Sequence, residues 1–162
     1  MKKLLAVTSG AALVLCGLAG STATAAPGDG TSRGEPVTGT LEGPTRARQD
    51  GVRLRTNQDM TVTTFELTYK IGGYSGWHRH PGIVLATVKS GVVKQQVGCR
   101  TRTWTAGQSF TEVEPHYVYN RYREAGPGAV DAVLSITQIF PADAPLPPRE
   151  EVDPPRCRRH GG

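Results

Sequence analysis

The sequence predicts an all-β domain, a sandwich or barrel of short strands. Three observations lead there. Past the first 26 residues no stretch keeps a 3.6-residue apolar period for about ten residues, so no amphipathic helix is expected. Short runs rich in β-branched and aromatic side chains, about six or more of them, recur every ten residues or so and are closed by Gly, Pro or acidic residues, the spacing of strands in a sandwich or barrel. The 162 residues suffice for one domain with a core and fall short of two.

Residues 1–26, "MKKLLAVTSGAALVLCGLAGSTATAA", carry Lys2 and Lys3, an apolar run from Leu4 to Ala19, and small residues ending in Ala23-Thr24-Ala25. This is the layout of a secretory signal peptide cleaved after Ala25, so residues 1–25 are excluded from the fold. A retained membrane anchor fits less well, because Thr8, Ser9 and several glycines dilute a short run. Lipoprotein processing at Cys16 fits poorly with Leu15, where a small residue is usual.

Residues 26–58 open with "APGDGTSRGEPVTGTLEGPTRARQDG", dense in Gly, Pro, Thr and charge. Too little apolar surface is present to offset ordering, which predicts a flexible N-terminal segment. The barrel is expected over 59–142. In "TVTTFELTY", Thr63, Phe65, Leu67 and Tyr69 alternate with Val62, Thr64, Glu66 and Thr68, the period of a half-buried strand. "KIGGYSG" supplies a break, with Gly72, Gly73 and Gly76 as turn residues. "IVLATVK" follows, and "SG" before "VVKQQV" predicts a tight hairpin. "RTWTAGQSF", "HYVYNRYR" and "AVDAVLSITQIF" give three further strands. Residues 143–162 form a Pro-rich strap: "PADAPLPPREEVDPPRC" is too rich in proline for a central strand, and Cys157 is placed to staple it down.

The formal charge is +5, of which Lys2 and Lys3 contribute two, leaving about +3 after cleavage. The basic residues are scattered except for Arg156, Arg158 and Arg159 in the tail. Without a basic stripe on a recognisable module, nucleic acid is not an expected partner, and nothing after the leader is long and apolar enough to span a membrane. Loss of Cys16 with the leader leaves Cys99 and Cys157 in an oxidising compartment, where a disulfide is expected. It closes a loop of about 59 residues, worth roughly 4 kcal/mol in the chain-entropy model.

Candidate site residues come from the histidines, of which there are four. His78 and His80 are two apart on a strand, so they project from one face while Trp77 and Arg79 point away. His116 opens a later strand and shares its face with Val118 and Asn120. Should the two strands be neighbours, three imidazoles converge inside a barrel; the alternative is three histidines satisfied by hydrogen bonds. His160 lies in the tail. Tyr74, Trp77, Trp104, Phe110, Tyr117, Tyr119 and Tyr122 are expected to serve barrel packing.

The spacing resembles the cupin family. Its first motif reads Gly, five residues, His-x-His, three or four residues, Glu, six residues, Gly; here Gly72, His78-Arg79-His80, Val84 and Gly91 fall on that ruler. Its second motif starts with Gly and ends His, three residues, Asn, matched by Gly107, His116 and Asn120. The similarity covers about residues 60–140. Two departures stand out: Val84 occupies the position of the ligating Glu, and the second motif is about two residues short and lacks its Pro-x-Gly. The resemblance implies a small jelly-roll β-barrel of antiparallel strands, with His78, His80 and His116 as ligands of a divalent transition metal (Zn, Fe, Mn, Ni or Cu). Glu112 and Glu114 lie near His116 as candidate oxygen donors or acid/base groups.

As an enzyme, such a protein would be a metal-dependent oxygenase, isomerase or lyase acting on a small organic molecule. As a binding module it would capture a small ligand, and as a structural protein it would keep the scaffold alone. Fold does not choose among these. The resemblance also implies pairing of two barrels through a sheet edge into a homodimer.

Overall fold

The computed structural model describes residues 28–113, 115–119 and 130–157. The expected signal peptide, Glu114, Asn120, Tyr122 and His160 lie outside them. All regular structure among the described residues is β: β1 (Asp29–Arg33), β2 (Val37–Leu41), β3 (Arg46–Gln49), β4 (Val52–Arg55), β5 (Met60–Tyr74), β6 (His78–Arg79), β7 (Ile83–Ser90), β8 (Val92–Val97), β9 (Arg100–Thr105), β10 (Ser109–Glu112), β11 (His116–Tyr119), β12 (Ala132–Pro141) and β13 (Glu150–Glu151). Pairing is antiparallel throughout and runs β10, β7, β12, β5, β11, after which β8 and β9 continue on one branch and β6 and β13 on another. The result is a nearly closed barrel, the fold class that the strand spacing predicts.

Period-two alternation builds the wall. In β12, Ala132, Leu134, Ile136 and Phe140 point inward and are buried. Its neighbours contribute Val84, Ala86 and Val88 from β7 and Phe65 and Tyr69 from β5. The barrel is open between β9 and β10, which end the pairing order. Side chains bridge that seam: Gln95 Nε2 donates to the Thr111 carbonyl over 3.0 Å, and Trp104 stacks on Phe110 with centroids 5.3 Å apart.

Three local expectations differ from the structure. Residues 29–41 form two strands on the edge of β5, with Asp29 opposite Tyr74 and Val37 opposite Thr64. Their side chains are mostly exposed, so composition reads them as loose, yet backbone pairing to an open edge needs no apolar burial. The break in "KIGGYSG" comes only after Tyr74, because the same pairing with β1 carries β5 through Gly72 and Gly73. The hairpin predicted at Ser90-Gly91 does not form: β7 pairs with β10 and β12, β8 with β9 and β11. Gly91, at φ 74°, turns the chain from one side of the barrel to the other so close to β12 that a Cβ would sit 2.7 Å from Ala132 Cα. A side chain there would collide with backbone, which is why the corner takes glycine.

The C-terminal strap returns across the barrel mouth. β13 pairs with β6, placing Glu150 opposite Arg79 and Glu151 opposite His78, and Val152 N–H donates to the Trp77 carbonyl over 3.0 Å. Cys99 and Cys157 face each other at bonding distance with Cα atoms 5.5 Å apart.

Candidate metal centre

Strand register assembles the site. His116 on β11 pairs directly with His78 on β6, so the two imidazoles emerge side by side with ring centroids 4.1 Å apart. His80, two residues on, lies on the same side, 4.9 Å from the His78 ring and 5.6 Å from the His116 ring. Arg79, pointing out, pairs with Glu150 over 2.7 Å. Three of the four histidines thus converge inside the barrel.

Glu112 joins them from β10. Its Oε2 lies 3.1 Å from His116 Nε2 and 3.6 Å from His80 Nε2. Glu112 stands directly opposite Val84 in the β10–β7 ladder. Opposed residues of a ladder share a face, so the carboxylate enters one strand away from the place where the first motif would have put it. Val84 itself is buried to 1% exposure against the site.

His78, Glu112 and His116 are buried, and the His80 side chain is 9% exposed. One ligand atom from each of the four lies within 4.8 Å of all the others. Donors about 2.1 Å from a common ion are at most about 4.2 Å apart, so side-chain shifts below an ångström close the set on a metal. Three imidazoles and a carboxylate suit a divalent first-row transition metal.

The surroundings orient two of the rings. His78 Nδ1 donates to the Gly76 carbonyl over 2.9 Å and His80 Nδ1 to the Pro148 carbonyl over 2.6 Å. Tying down Nδ1 orients the ring and leaves Nε2 as the lone-pair nitrogen, the usual outer support of a metal-binding histidine. Burial also pushes His78 down to about 2, helped by His116 and the charge of Arg149. Burial lowers His80 too, opposed by its Pro148 bond and by Glu112. Both shifts favour the neutral form of the ring, the one that binds metal.

A cavity of about 160 Å³ adjoins the cluster, bordered by His78, His80 and Glu112. Phe65, Leu134 and Ile136 form an apolar wall, and Arg33, Tyr69 and Arg149 add polar groups. Burial holds the Tyr69 phenol protonated far above its ordinary range. Sequence reasoning missed the strap's share, the Pro148 carbonyl and Arg149, and it missed Arg33 in a segment read as flexible. Proline-rich composition signals an extended path but not where it lands. Tyr74, Trp77 and Tyr119 all pack around Tyr117, with centroids 5.3 to 5.9 Å from it.

No protein-family model and no curated protein matches this chain. Solved cupin structures resemble it. KdgF from a Halomonas species is 13% identical over 70% of this chain and 83% of its own, with a TM-score of 0.45. A cupin-like protein from Thermotoga maritima is 20% identical over 56% of this chain and 64% of its own, with a TM-score of 0.42. The Cnp3 cupin domain of Schizosaccharomyces pombe is 12% identical over 49% of this chain, with a TM-score of 0.41, and this chain spans 56% of that domain's length. These are likenesses of fold. Among the described residues no helix is long and apolar enough to cross a membrane.

Proposed function

We propose that this is a secreted, cupin-like barrel that holds one divalent transition metal through His78, His80 and His116, with Glu112 as fourth donor. The ion's remaining position serves a small organic molecule in the adjoining cavity. The observation that carries this reading is the four-residue cluster, with its ligand atoms within 4.8 Å of one another and the outward nitrogens of His78 and His80 tied to backbone carbonyls. Secretion is supported by the N-terminal leader pattern and by the Cys99/Cys157 pair, which suits an oxidising compartment. A bound ion of this kind supplies Lewis-acid polarisation of a ligand oxygen.

The chain's own groups favour binding over turnover. Among the described residues, Glu112 is the one carboxylate bordering the cavity, and a carboxylate that ligates a metal is poorly placed to shuttle protons. Burial keeps the Tyr69 phenol protonated. Ser75 Oγ donates to the Gly76 carbonyl and accepts from Val118 N–H, and with Cys99 and Cys157 joined neither is a nucleophile. The second reading, a metal-dependent enzyme on a small molecule, rests on the open position alone.

Elemental analysis of the mature chain, purified without chelator or polyhistidine tag, tests the centre. About one equivalent of a single transition metal is expected, falling below a tenth in the His78→Ala/His80→Ala variant. A variant that keeps stoichiometric metal contradicts the ligand set.

A further inference from the structure

The cavity beside the cluster is small and is bordered by Pro147, Pro148 and Arg149 of the strap and by Arg33 of β1. We propose that its ligand is a small carboxylate, with Arg149 on the strap and Arg33 on β1 as the residues that select the negative charge. This deepens the metal-centre reading and rests on the same site.

Size bounds the ligand first. The cavity measures about 160 Å³, and an apolar cavity of roughly 150 Å³ holds benzene, so the ligand has about six to eight non-hydrogen atoms. Charge is the second constraint. Arg149 Nε donates to Glu151 Oε1 over 2.6 Å, and a terminal nitrogen donates to the Ser75 carbonyl. These two bonds fix the plane of a group with five N–H donors. Arg149 borders the cavity together with His78, His80 and Tyr69. Arg33 borders the same cavity, its Cζ 3.8 Å from the Phe65 ring centroid.

Arg149, held by Glu151 and the Ser75 carbonyl, and the exposed Arg33, stacked on Phe65, border a chamber of this size, and guanidinium groups bond a carboxylate in bidentate fashion. The facing wall of Phe65, Leu134 and Ile136 is apolar and suits a short hydrocarbon tail. A neutral molecule of the same shape forgoes the charge-assisted hydrogen bonds that a carboxylate accepts from guanidinium.

The test is calorimetric titration of the metal-loaded mature chain with butyrate and with butyramide, which share size and shape and differ in charge. Butyrate is expected to bind at least tenfold more tightly. Arg149→Gln should weaken butyrate at least tenfold and leave butyramide within twofold; Arg33→Gln should act in the same direction and less strongly. Should Arg149→Gln fail to fold, Arg149→Lys decides, with the butyrate-to-butyramide ratio expected to fall at least threefold. Equal affinity for the two probes, or variants that bind butyrate as the unsubstituted chain does, overturns the proposal. The same titration on metal-free protein separates the two readings. Arg149-dependent selectivity in a chain that takes up no metal removes the metal and keeps the carboxylate site. One equivalent of metal without selectivity does the reverse.

Discussion

The barrel wall and the C-terminal strap are held by different physics. In β5, β7 and β12 the alternation of Phe65, Val84, Ala86, Leu134 and Ile136 with outward residues buries a continuous core. The strap buries little and is fixed by a two-residue ladder, by Arg149 on the Ser75 carbonyl, and by the pair Cys99/Cys157. Yet both shape the site: the wall supplies its floor, the strap supplies the carbonyl that orients His80. A segment with almost no core can therefore help shape the candidate centre, with the Cys99/Cys157 pair standing in for the missing burial.

The sharpest contrast comes from removing one element of each kind. Leu134→Ala should destabilise the whole fold by about 2–5 kcal/mol through a cavity in the wall, read as a lower urea midpoint with unchanged slope. The pair Cys99→Ser and Cys157→Ser should lower stability by about 2–4 kcal/mol and, unlike Leu134→Ala, should speed metal release from the remaining folded protein. Equal metal-release rates in the two variants would break the comparison, since the strap would then have no part in holding His80.

Moving the carboxylate sharpens it further. Glu112→Gln should weaken metal binding at least tenfold in competition with a chelator. Adding Val84→Glu should restore most of the loss, because the two positions face each other across the β10–β7 ladder. No recovery in the double variant would mean that the site accepts its oxygen from one strand alone.

The smallest effect expected is one of pH on the metal-free chain. Burial holds His78 down to about 2 and lowers His80, whereas both titrate near 6.5 when unfolded. Below that value the unfolded chain takes up protons that the native one does not, so stability falls as pH drops from about 6.5 toward 2 and is retained above it. Thermal melts at pH 7.5, 6 and 5 should show a falling midpoint, and bound metal should blunt the fall.

Much of this was legible in the sequence wherever a side chain's period or spacing carried the signal. The inward set of β12, the shared face of His78 and His80, and the place of His116 beside Val118 all follow from alternation. What stayed hidden depends on pairing between distant strands. The hairpin signal at Ser90-Gly91 is real as a turn, but Gly91 turns the chain around a corner against Ala132 instead of back on itself. The Asp50-Gly51 pair, a strong hairpin signal that composition obscured, joins β3 to β4 with φ of 44° and 89°. Glu112 was one of two candidates because the loop between it and His116 has no readable geometry; register with Val84 is what aims it inward. Arg33 and Arg149 could not be found at all, since each reaches the cavity from a segment without an apolar pattern.

The position of the metal is decisive. A crystal structure of the metal-loaded mature chain, with anomalous scattering measured at the absorption edge of the bound element, tests it most directly. One peak bonded to His78 Nε2, His80 Nε2, His116 and a Glu112 oxygen at about 2.0–2.2 Å is the predicted result. A fully loaded crystal with no peak inside the barrel, or with its ion on a surface histidine or carboxylate, would contradict it.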